Sequence, residues 1–206
     1  MNKRRKIILA LIILIIAAVS VMGWLGFRRY GRNQGVELKA SHKMEPPDIT
    51  YYLQRDEAWA EDSLGNSRFT MGSSGCLVTS IASMLDSYGI EVTPGELNQM
   101  FTSDGVYNDA GDVIWGNLTT VYPDMKVEVF SSVSSREVEK KVEQGQYPLV
   151  KVRYLGSGYW HWVLLIGSDV NGYLCMDPLY DDKKPRPLSD HGGKIYSWRL
   201  LTMPEN

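Results

Sequence analysis

The stretch that decides the fold is residues 73–80, Ser73-Ser74-Gly75-Cys76-Leu77-Val78-Thr79-Ser80. A turn that contains glycine runs here directly into an apolar segment with helical periodicity, and Gly89 is placed to cap that helix at its C-terminal end. Cys76 is therefore predicted in the first turn of a helix that faces the core. The helix dipole and the unpaired backbone N–H groups favour a thiolate there, as a nucleophilic cysteine requires. The alternative is a structural cysteine, since free cysteines are among the most buried residues.

Capping patterns predict two further helices, and a cluster of strands follows them. One helix begins at Thr93-Pro94-Gly95-Glu96, a capping box, and another runs from Ser134 to Gly145. Upstream, residues 49–54 read as a short strand or an extended entry segment, and 56–72 as a loop anchored by Trp59. Runs rich in Val, Ile, Tyr and Trp predict strands at 147–154, 159–167, 173–176 and 195–201. Helices first and strands afterwards predict an α+β fold rather than alternating βαβ units.

Two residues of the strand cluster have side chains suited to acid–base chemistry. His161 lies inside a predicted strand, and Asp177 ends the next strand across the Asn171-Gly172 turn. Adjacent antiparallel strands would bring Asp177 to His161, where its carboxylate would fix the tautomer of the imidazole. Taken singly, each has a structural alternative, a hydrogen-bonded core histidine and a turn-forming Asp-Pro pair.

Gln54 and Cys175 are further candidates. The side-chain amide of Gln54 would donate to a developing oxyanion beside the Cys76 backbone N–H, although a single Gln is more often a surface residue. Cys175 shares strand parity with Asp177, so a Cys76–Cys175 disulfide that silences the nucleophile is an open alternative. The three histidines are His42, His161 and His191, and they are scattered along the chain.

The N-terminal segment predicts a membrane anchor. Residues 1–6 form a basic tail, and an uncharged run covers 7–27, long enough to cross a bilayer as one helix. A cleaved signal peptide with a site at Ala18-Val19-Ser20 is the alternative. The basic tail favours a cytoplasmic N-terminus and an extracytoplasmic domain. That domain covers 49–206 and is held at the cell membrane by a single pass. The polar, irregular residues 28–48 are predicted to form the tether between them.

Charge and motifs exclude several classes of function. Seven of the 22 Lys and Arg residues precede residue 33 and all 24 Asp and Glu residues follow it, so the rest of the chain has a formal charge of −9. That balance disfavours nucleic acid as a partner. The chain has no CxxC pair and no HExxH motif, so we expect no metal and no cofactor. Gly193-Lys194 lacks the glycine spacing of a phosphate-binding loop, and no ATPase is expected in this chain.

The chain order of Gln, Cys, His and Asp is that of papain-like cysteine peptidases. Over residues 52 to about 180 the sequence resembles the bacteriocin-processing, double-glycine-type peptidase family, and in particular its stand-alone peptidase-like branch. The motifs that carry this resemblance are Gln54-Arg55-Asp56 with Trp59, Gly75-Cys76 with Thr79-Ser80, Thr93-Pro94 with Leu97, Gly105 with Tyr107 and Trp115, His161-Trp162-Val163, and Asp177-Pro178.

The resemblance implies a papain-like fold, in which N-terminal helices pack on a C-terminal antiparallel sheet. It also implies that Cys76 is the nucleophile, that His161 is the general base and acid, and that Asp177 orients the imidazole. Gln54 and the Cys76 N–H would hold the oxyanion, and peptide bonds would be hydrolysed through a thioester without a metal or cofactor.

Two departures qualify these expectations. Leu77 stands where the family often has glycine, and it adds bulk near the cleft. Leader peptidases fused to exporters work on the cytoplasmic side beside an ATPase, so an exported or wall-linked peptide is the better substrate expectation here. The sequence thus predicts a membrane-anchored extracytoplasmic cysteine peptidase that acts on a peptide or protein. The alternatives are a catalytically inactive peptide-binding module and a cell-wall amidase or transpeptidase-like thiol acyl transferase.

Overall fold

The computed structural model describes residues 3–32 and 34–204, and divides the chain into two units, Met1–Gly35 and Val36–Asn206. In the first unit, helix α1 spans Lys3–Arg32, with side chains described for residues 4–5 and 11–26. Among the described residues, no helix is both long and apolar enough to span a bilayer. The predicted anchor of 7–27 lies partly outside the described side chains, at 7–10 and 27, and it stays a prediction.

Helix α1 extends beyond the residues predicted to form the anchor. Helix α1 continues to Arg32, into the segment that the sequence predicts as irregular, 28–48. Arginine is a good helix former, and Arg28, Arg29 and Arg32 all fall in this last part of the helix. The helix ends just before Gly35, which has a φ of +64° and breaks helical geometry.

The second unit contains five helices and eight strands among its described residues. Helices α2 to α6 are Met71–Ser74, Cys76–Asp86, Pro94–Ser103, Leu118–Val121 and Ser135–Glu143. Strands β1 to β8 are Val36–Glu37, Lys126–Val129, Leu149–Arg153, Trp160–Asp169, Gly172–Met176, Arg186–Pro187, Lys194–Ile195 and Ser197–Thr202. Short 3₁₀ turns lie at Trp115–Asn117, Tyr154–Gly156 and Leu188–His191.

Six strands form one antiparallel sheet in the order β2-β8-β3-β4-β5-β6, and β1 pairs with β7 separately. The hairpin of β4 and β5 turns at Asn171-Gly172, which confirms the predicted turn. The α+β class with a C-terminal antiparallel sheet is also confirmed. Strand β2 was not predicted, because its four residues alternate Lys and Glu with only two valines and resemble a solvated loop.

Both faces of the sheet are covered, and the alternation of side chains along β3 and β4 explains how. Leu149 and Leu164 join a core with helices α3 and α4, whereas Val150 and Val163 join a second core with α6. This period of two is the sheet pattern, here buried on both sides. At the start of β4 the sheet is no longer covered by helices, and Trp160, His161 and Trp162 line a cleft there.

The helix caps follow the predicted chemistry. Thr93 and Glu96 form the capping box of α4, with Pro94 in its first turn, and the Ser134 side chain accepts from the Glu137 N–H at the start of α6. Residues 49–54 pair with no strand and form the extended entry segment, one of the two interpretations that the sequence left open. Trp59 is nearly buried, as predicted, and its indole N–H donates to the Leu53 carbonyl oxygen at 2.9 Å.

Candidate active site

Cys76 is the first residue of α3, and Gly75 alone separates it from α2. A Cβ on Gly75 would lie 2.6 Å from the Met71 carbonyl oxygen, so only glycine allows the chain to pass this tightly from one helix to the next. The Cys76 side chain is 9% exposed and lines a cleft. The predicted position at a helix N-terminus is therefore confirmed.

His161, near the start of β4, is 1% exposed and connects Cys76 to Asp177. Its Nε2 lies 2.7 Å from Asp177 Oδ1, so Nδ1 is the ring nitrogen left for Cys76. Burial alone lowers the pKa of His161, but hydrogen bonds with Asp177 and with Cys76 outweigh it and raise that pKa to about 9. The imidazole is thus held in the form and orientation that suit proton exchange with Cys76.

Asp177 follows β5 directly, and the β4–β5 hairpin brings it to His161, as the sequence predicts. Its carboxylate is buried, which by itself raises the pKa. Hydrogen bonds from the side chains of His161 and His191 and from the Leu179 N–H prevail and hold the pKa well below its usual range. Asp177 is therefore an anion that accepts hydrogen bonds from His161, His191 and the Leu179 N–H.

His191 is the member of the site that sequence reasoning missed. Its Nε2 lies 2.9 Å from Asp177 Oδ2, and its Nδ1 accepts from the Leu155 N–H at 3.2 Å. Because Nδ1 accepts, Nε2 must carry the single proton of a neutral ring and donate it to the carboxylate. The sequence pattern gave no indication of this, since His191 sits on a short 3₁₀ turn 14 residues after Asp177.

Aromatic rings cover the two histidines. Tyr154 packs edge-on against His161 with centroids 5.6 Å apart, lies 5.8 Å from the ring of His191, and stacks on Tyr159 at 5.1 Å. The rings exclude water from the His161–Asp177–His191 array, and hydrogen bonds are electrostatically stronger in such a low-dielectric setting.

Gln54 is buried, in contrast to the surface position that a lone Gln usually takes. Its backbone N–H donates to the Pro178 carbonyl oxygen at 2.8 Å, which ties the entry segment to the turn after Asp177. One side-chain N–H donates to the Gly72 carbonyl oxygen at 3.0 Å, whereas Oε1 is buried without a partner among the described residues. Gln54 and Cys76 line the same cleft, so the structure brings all four predicted site residues together.

The cleft has a volume of about 420 Å³. One side consists of the strand residues Lys151, Trp160 and Trp162, and the loop between α4 and α5 contributes Tyr107 and Asp112, among others. Leu77 also lines the cleft, so its bulk does lie beside the nucleophile, as expected from its place in the sequence. A space of this size accommodates a few residues of an extended peptide.

Cys175 lies apart from this chemistry. It is fully buried in the second core, its Sγ donates to the Arg186 carbonyl oxygen at 3.5 Å, and burial raises the pKa of its thiol well above the usual value. Both cysteines are free thiols, and the structure contains no disulfide between them. In the described part of the chain, no cluster of three or more His, Cys, Asp or Glu residues is arranged to hold a metal ion.

Comparisons with known proteins point to one family. The sequence model described as the Peptidase C39-like family matches residues 47–200, about three quarters of the chain. Among solved structures, a protein from Bacillus anthracis described as a C39-like peptidase superposes with a TM-score of 0.56 and 18% identity, covering 81% of this chain and 100% of its own. At that identity the match supports the fold alone. A comparison with curated proteins finds no match.

Proposed function

We propose that this chain, which belongs to the Peptidase C39-like family of papain-like cysteine peptidases, hydrolyses peptide bonds through a thioester formed on Cys76. The observation that carries the proposal is the position of His161. Its imidazole is buried between a free cysteine at a helix N-terminus and an ionised carboxylate 2.7 Å away. A nucleophile, a base and a third group that orients the base are the three parts of nucleophilic acyl transfer.

In this mechanism, Cys76 transfers its thiol proton to Nδ1 of His161, and the thiolate attacks the carbonyl carbon of the scissile bond. The tetrahedral intermediate collapses when the imidazolium gives its proton to the leaving amine, which departs as the C–N bond breaks. Water then attacks the thioester, His161 takes a proton from it, and the acid product leaves as the thiol is restored. Asp177 remains ionised throughout and stabilises the imidazolium.

The oxyanion is stabilised by two donors in this proposal. The amide nitrogen of Gln54 has a second hydrogen beyond the one given to Gly72, and Gln54 lines the same cleft as Cys76. The backbone N–H of Cys76 is at the start of α3, where the helix dipole adds positive potential. Donors fixed in place before the reaction stabilise the charge that develops on the carbonyl oxygen.

The first prediction concerns selective alkylation of Cys76. At pH 6, in the presence of reductant, the full-length chain is expected to react with iodoacetamide at Cys76 at least about tenfold faster than an ordinary cysteine does. The reason is that the protonated imidazole of His161 stabilises the reactive thiolate. Cys175 is fully buried and should stay unmodified, which provides an internal control. Intact-mass spectrometry over pH 5 to 9, beside Cys76→Ala, measures both.

The outcome separates the proposed enzyme from the alternatives. A fast adduct at Cys76 that disappears in Cys76→Ala supports the peptidase, and peptide hydrolysis should then decline as the pH rises through about 9, where His161 loses its proton. Labelling at the rate of a free thiol would contradict the proposal and favour an inactive peptide-binding module. An acyl transferase shares the adduct, but its product carries an added amine instead of a free carboxylate.

We also propose that the peptidase domain is exported and tethered to the cell membrane through residues 7–27. The support is in the sequence: four basic residues at positions 3–6, an uncharged run after them, and a domain that carries almost all of the negative charge. Peptides outside the cytoplasm are then its substrates. Fractionation of cells, followed by labelling of the Lys residues with a membrane-impermeant amine reagent, tests the location and the topology.

A further inference from the structure

Lys151 is a cation in the wall of the cleft, and no described Asp or Glu forms an ion pair with it. It lies on β3 opposite Trp162 of β4, and its Nζ is 5.0 Å from the ring centroid of Trp160 and 5.8 Å from that of Trp162. Among the described residues, the Lys and Arg side chains within 4.0 Å of a carboxylate are elsewhere: Lys39, Lys43, Lys126 and Arg186. Indole faces stabilise an ammonium, but they do not neutralise it.

Two more cations share the same aromatic residues. The guanidinium carbon of Arg153 lies 3.6 Å from the ring centroid of Trp160, and Arg199 lies over Trp115 and Trp162 at 5.2 and 5.8 Å. Burial lowers the pKa of Lys151, and the neighbouring Arg199 and Arg153 lower it further, while Asp112 and Cys76 act in the opposite direction. This strand face is therefore locally positive, on a domain whose overall charge is strongly negative.

We infer that the cleft selects peptides carrying a carboxylate beside the scissile bond, and that Lys151 is the residue that pairs with it. The inference rests on the proposed peptidase function and extends it to the substrate class. The Lys151 ammonium is half-buried, lines the same cleft as Cys76 and has no ion-pair partner in the described part of the chain. Such a group gains most from an anionic ligand. Asp112 is the carboxylate among the lining residues, and its charge weakens the preference. It does not form an ion pair with Lys151.

The test uses matched chloromethyl ketone tripeptides that alkylate Cys76, each forming a C–S bond and releasing chloride. Glu or Gln is placed in turn at each of the three positions. At one position, the full-length chain is expected to react with the Glu probe about tenfold faster than with the Gln probe, and added salt should reduce this ratio. To separate a side-chain carboxylate from a terminal one, tripeptide acids and amides compete against iodoacetamide.

Three variants locate the effect. Lys151→Met keeps the apolar stem over the indoles and should make the Glu and Gln rates equal, whereas Asp112→Asn should increase the Glu preference. Lys126→Met removes the same charge from edge strand β2, where Lys126 pairs with Glu128 at 3.2 Å, and should leave the ratio unchanged.

The outcomes keep the substrate class apart from the peptidase function. One outcome would overturn the substrate class alone. Iodoacetamide would label Cys76 fast, the Glu and Gln probes would react at equal rates at every position, and tripeptide acids and amides would protect Cys76 from iodoacetamide equally. If Cys76 proves unreactive, the proposed function fails. The preference for a carboxylate is still tested by binding of the same tripeptides to Cys76→Ala, measured by tryptophan fluorescence. Tighter binding of Glu peptides that Lys151→Met abolishes then supports it, and equal binding contradicts it.

A second and independent observation concerns His191. The ring is buried, neutral and fixed in one tautomer between the Leu155 N–H and Asp177 Oδ2. Leu155 adopts a left-handed conformation with φ of +49°, which is strained for a residue other than glycine. We infer that His191 is a positioning residue: it saturates the second carboxylate oxygen so that Asp177 stays ionised and directs Oδ1 at His161.

The test separates this role from a merely structural one. His191→Gln has both an acceptor and a donor and should retain most of the alkylation rate. His191→Phe should lower that rate about tenfold and shift the basic limb of hydrolysis to lower pH, because a carboxylate that His191 no longer holds at Oδ2 turns away from His161 and stabilises its imidazolium less. In an Asp177→Asn background, His191→Phe should have no further effect on rate. Equal loss of rate in both backgrounds, or an unshifted pH profile in His191→Phe, would overturn the inference.

Discussion

Replacing His161 by Ala is expected to lower the rate of peptide hydrolysis by about 10³–10⁴-fold, near the top of the range for general acid–base catalysis, because one imidazole serves both proton transfers. The same change should slow alkylation of Cys76 at pH 6, since no imidazolium remains to stabilise the thiolate. Above pH 8 the labelling rate should rise as it does for an ordinary thiol. The pH profile of iodoacetamide labelling measures this without knowledge of the substrate.

A matched variant guards against loss of folding. His161 is buried among Tyr154, His191 and Asp177. Replacing it by Ala therefore leaves a cavity and removes one of the hydrogen-bond donors of the Asp177 carboxylate. His161→Gln fills more of the space and keeps a donor for Asp177, but it has no group that titrates near neutral pH. Both variants should lose activity while His161→Gln retains the thermal unfolding transition. Normal labelling at pH 6 in either variant would contradict the proposed pair.

The parts of the site that were predictable from the sequence are those fixed by local chemistry. Gly75 and the periodic apolar residues after it place Cys76 at a helix start, and the Asn171-Gly172 turn makes Asp177 a neighbour of His161. In each case a few adjacent residues determine the backbone, and the side chain follows.

The residues that were missed depend on contacts between distant segments. His191 reaches Asp177 only because its 3₁₀ turn packs against another turn, at Tyr154–Gly156, and no pattern in the sequence predicts that the two turns meet. Lys151 looks like one of many lysines in the sequence; its position in the cleft depends on its register opposite Trp162. Burial and ion pairing at such positions are properties of the packed molecule.

Gln54 was predicted in part. The resemblance assigned it to the oxyanion, and the structure brings it to the cleft, but its amide also donates to Gly72 and its Oε1 lacks a partner. An unpaired buried acceptor is costly, so a peptide whose N–H donates to Oε1 in the cleft would bind more tightly. Neither the hydrogen bond to Gly72 nor the unpaired Oε1 was apparent from the residue type or its order in the chain.

Replacing Asp177 by Asn is expected to lower hydrolysis about 100-fold or more, because an amide accepts at one oxygen where the carboxylate accepts at two. Oδ1 receives both His161 and Leu179, so the oxygen of Asn should stay on that side and its NH₂ should face the His191 Nε2–H. Two donors then oppose each other in a buried site, and the negative charge that stabilises the His161 imidazolium is gone. Peptide hydrolysis, or alkylation at pH 6, measures the loss.

The dependence of stability on pH gives a second measurement of the same change. The pKa of Asp177 is lowered by folding, so the carboxylate stabilises the native state above its unfolded pKa of about 3.9 and less as the pH falls through its folded value. The pKa of His161 is raised to about 9, so its contribution is complete below about pH 6.5 and is lost as the pH rises from there to 9. Asp177→Asn should flatten both limbs of the melting temperature between pH 3 and 9. Adding His191→Phe should recover stability, since it removes the opposed donor, but not activity. Recovery of the rate in that double variant would show that the charge of Asp177 is dispensable and that its shape alone positions His161.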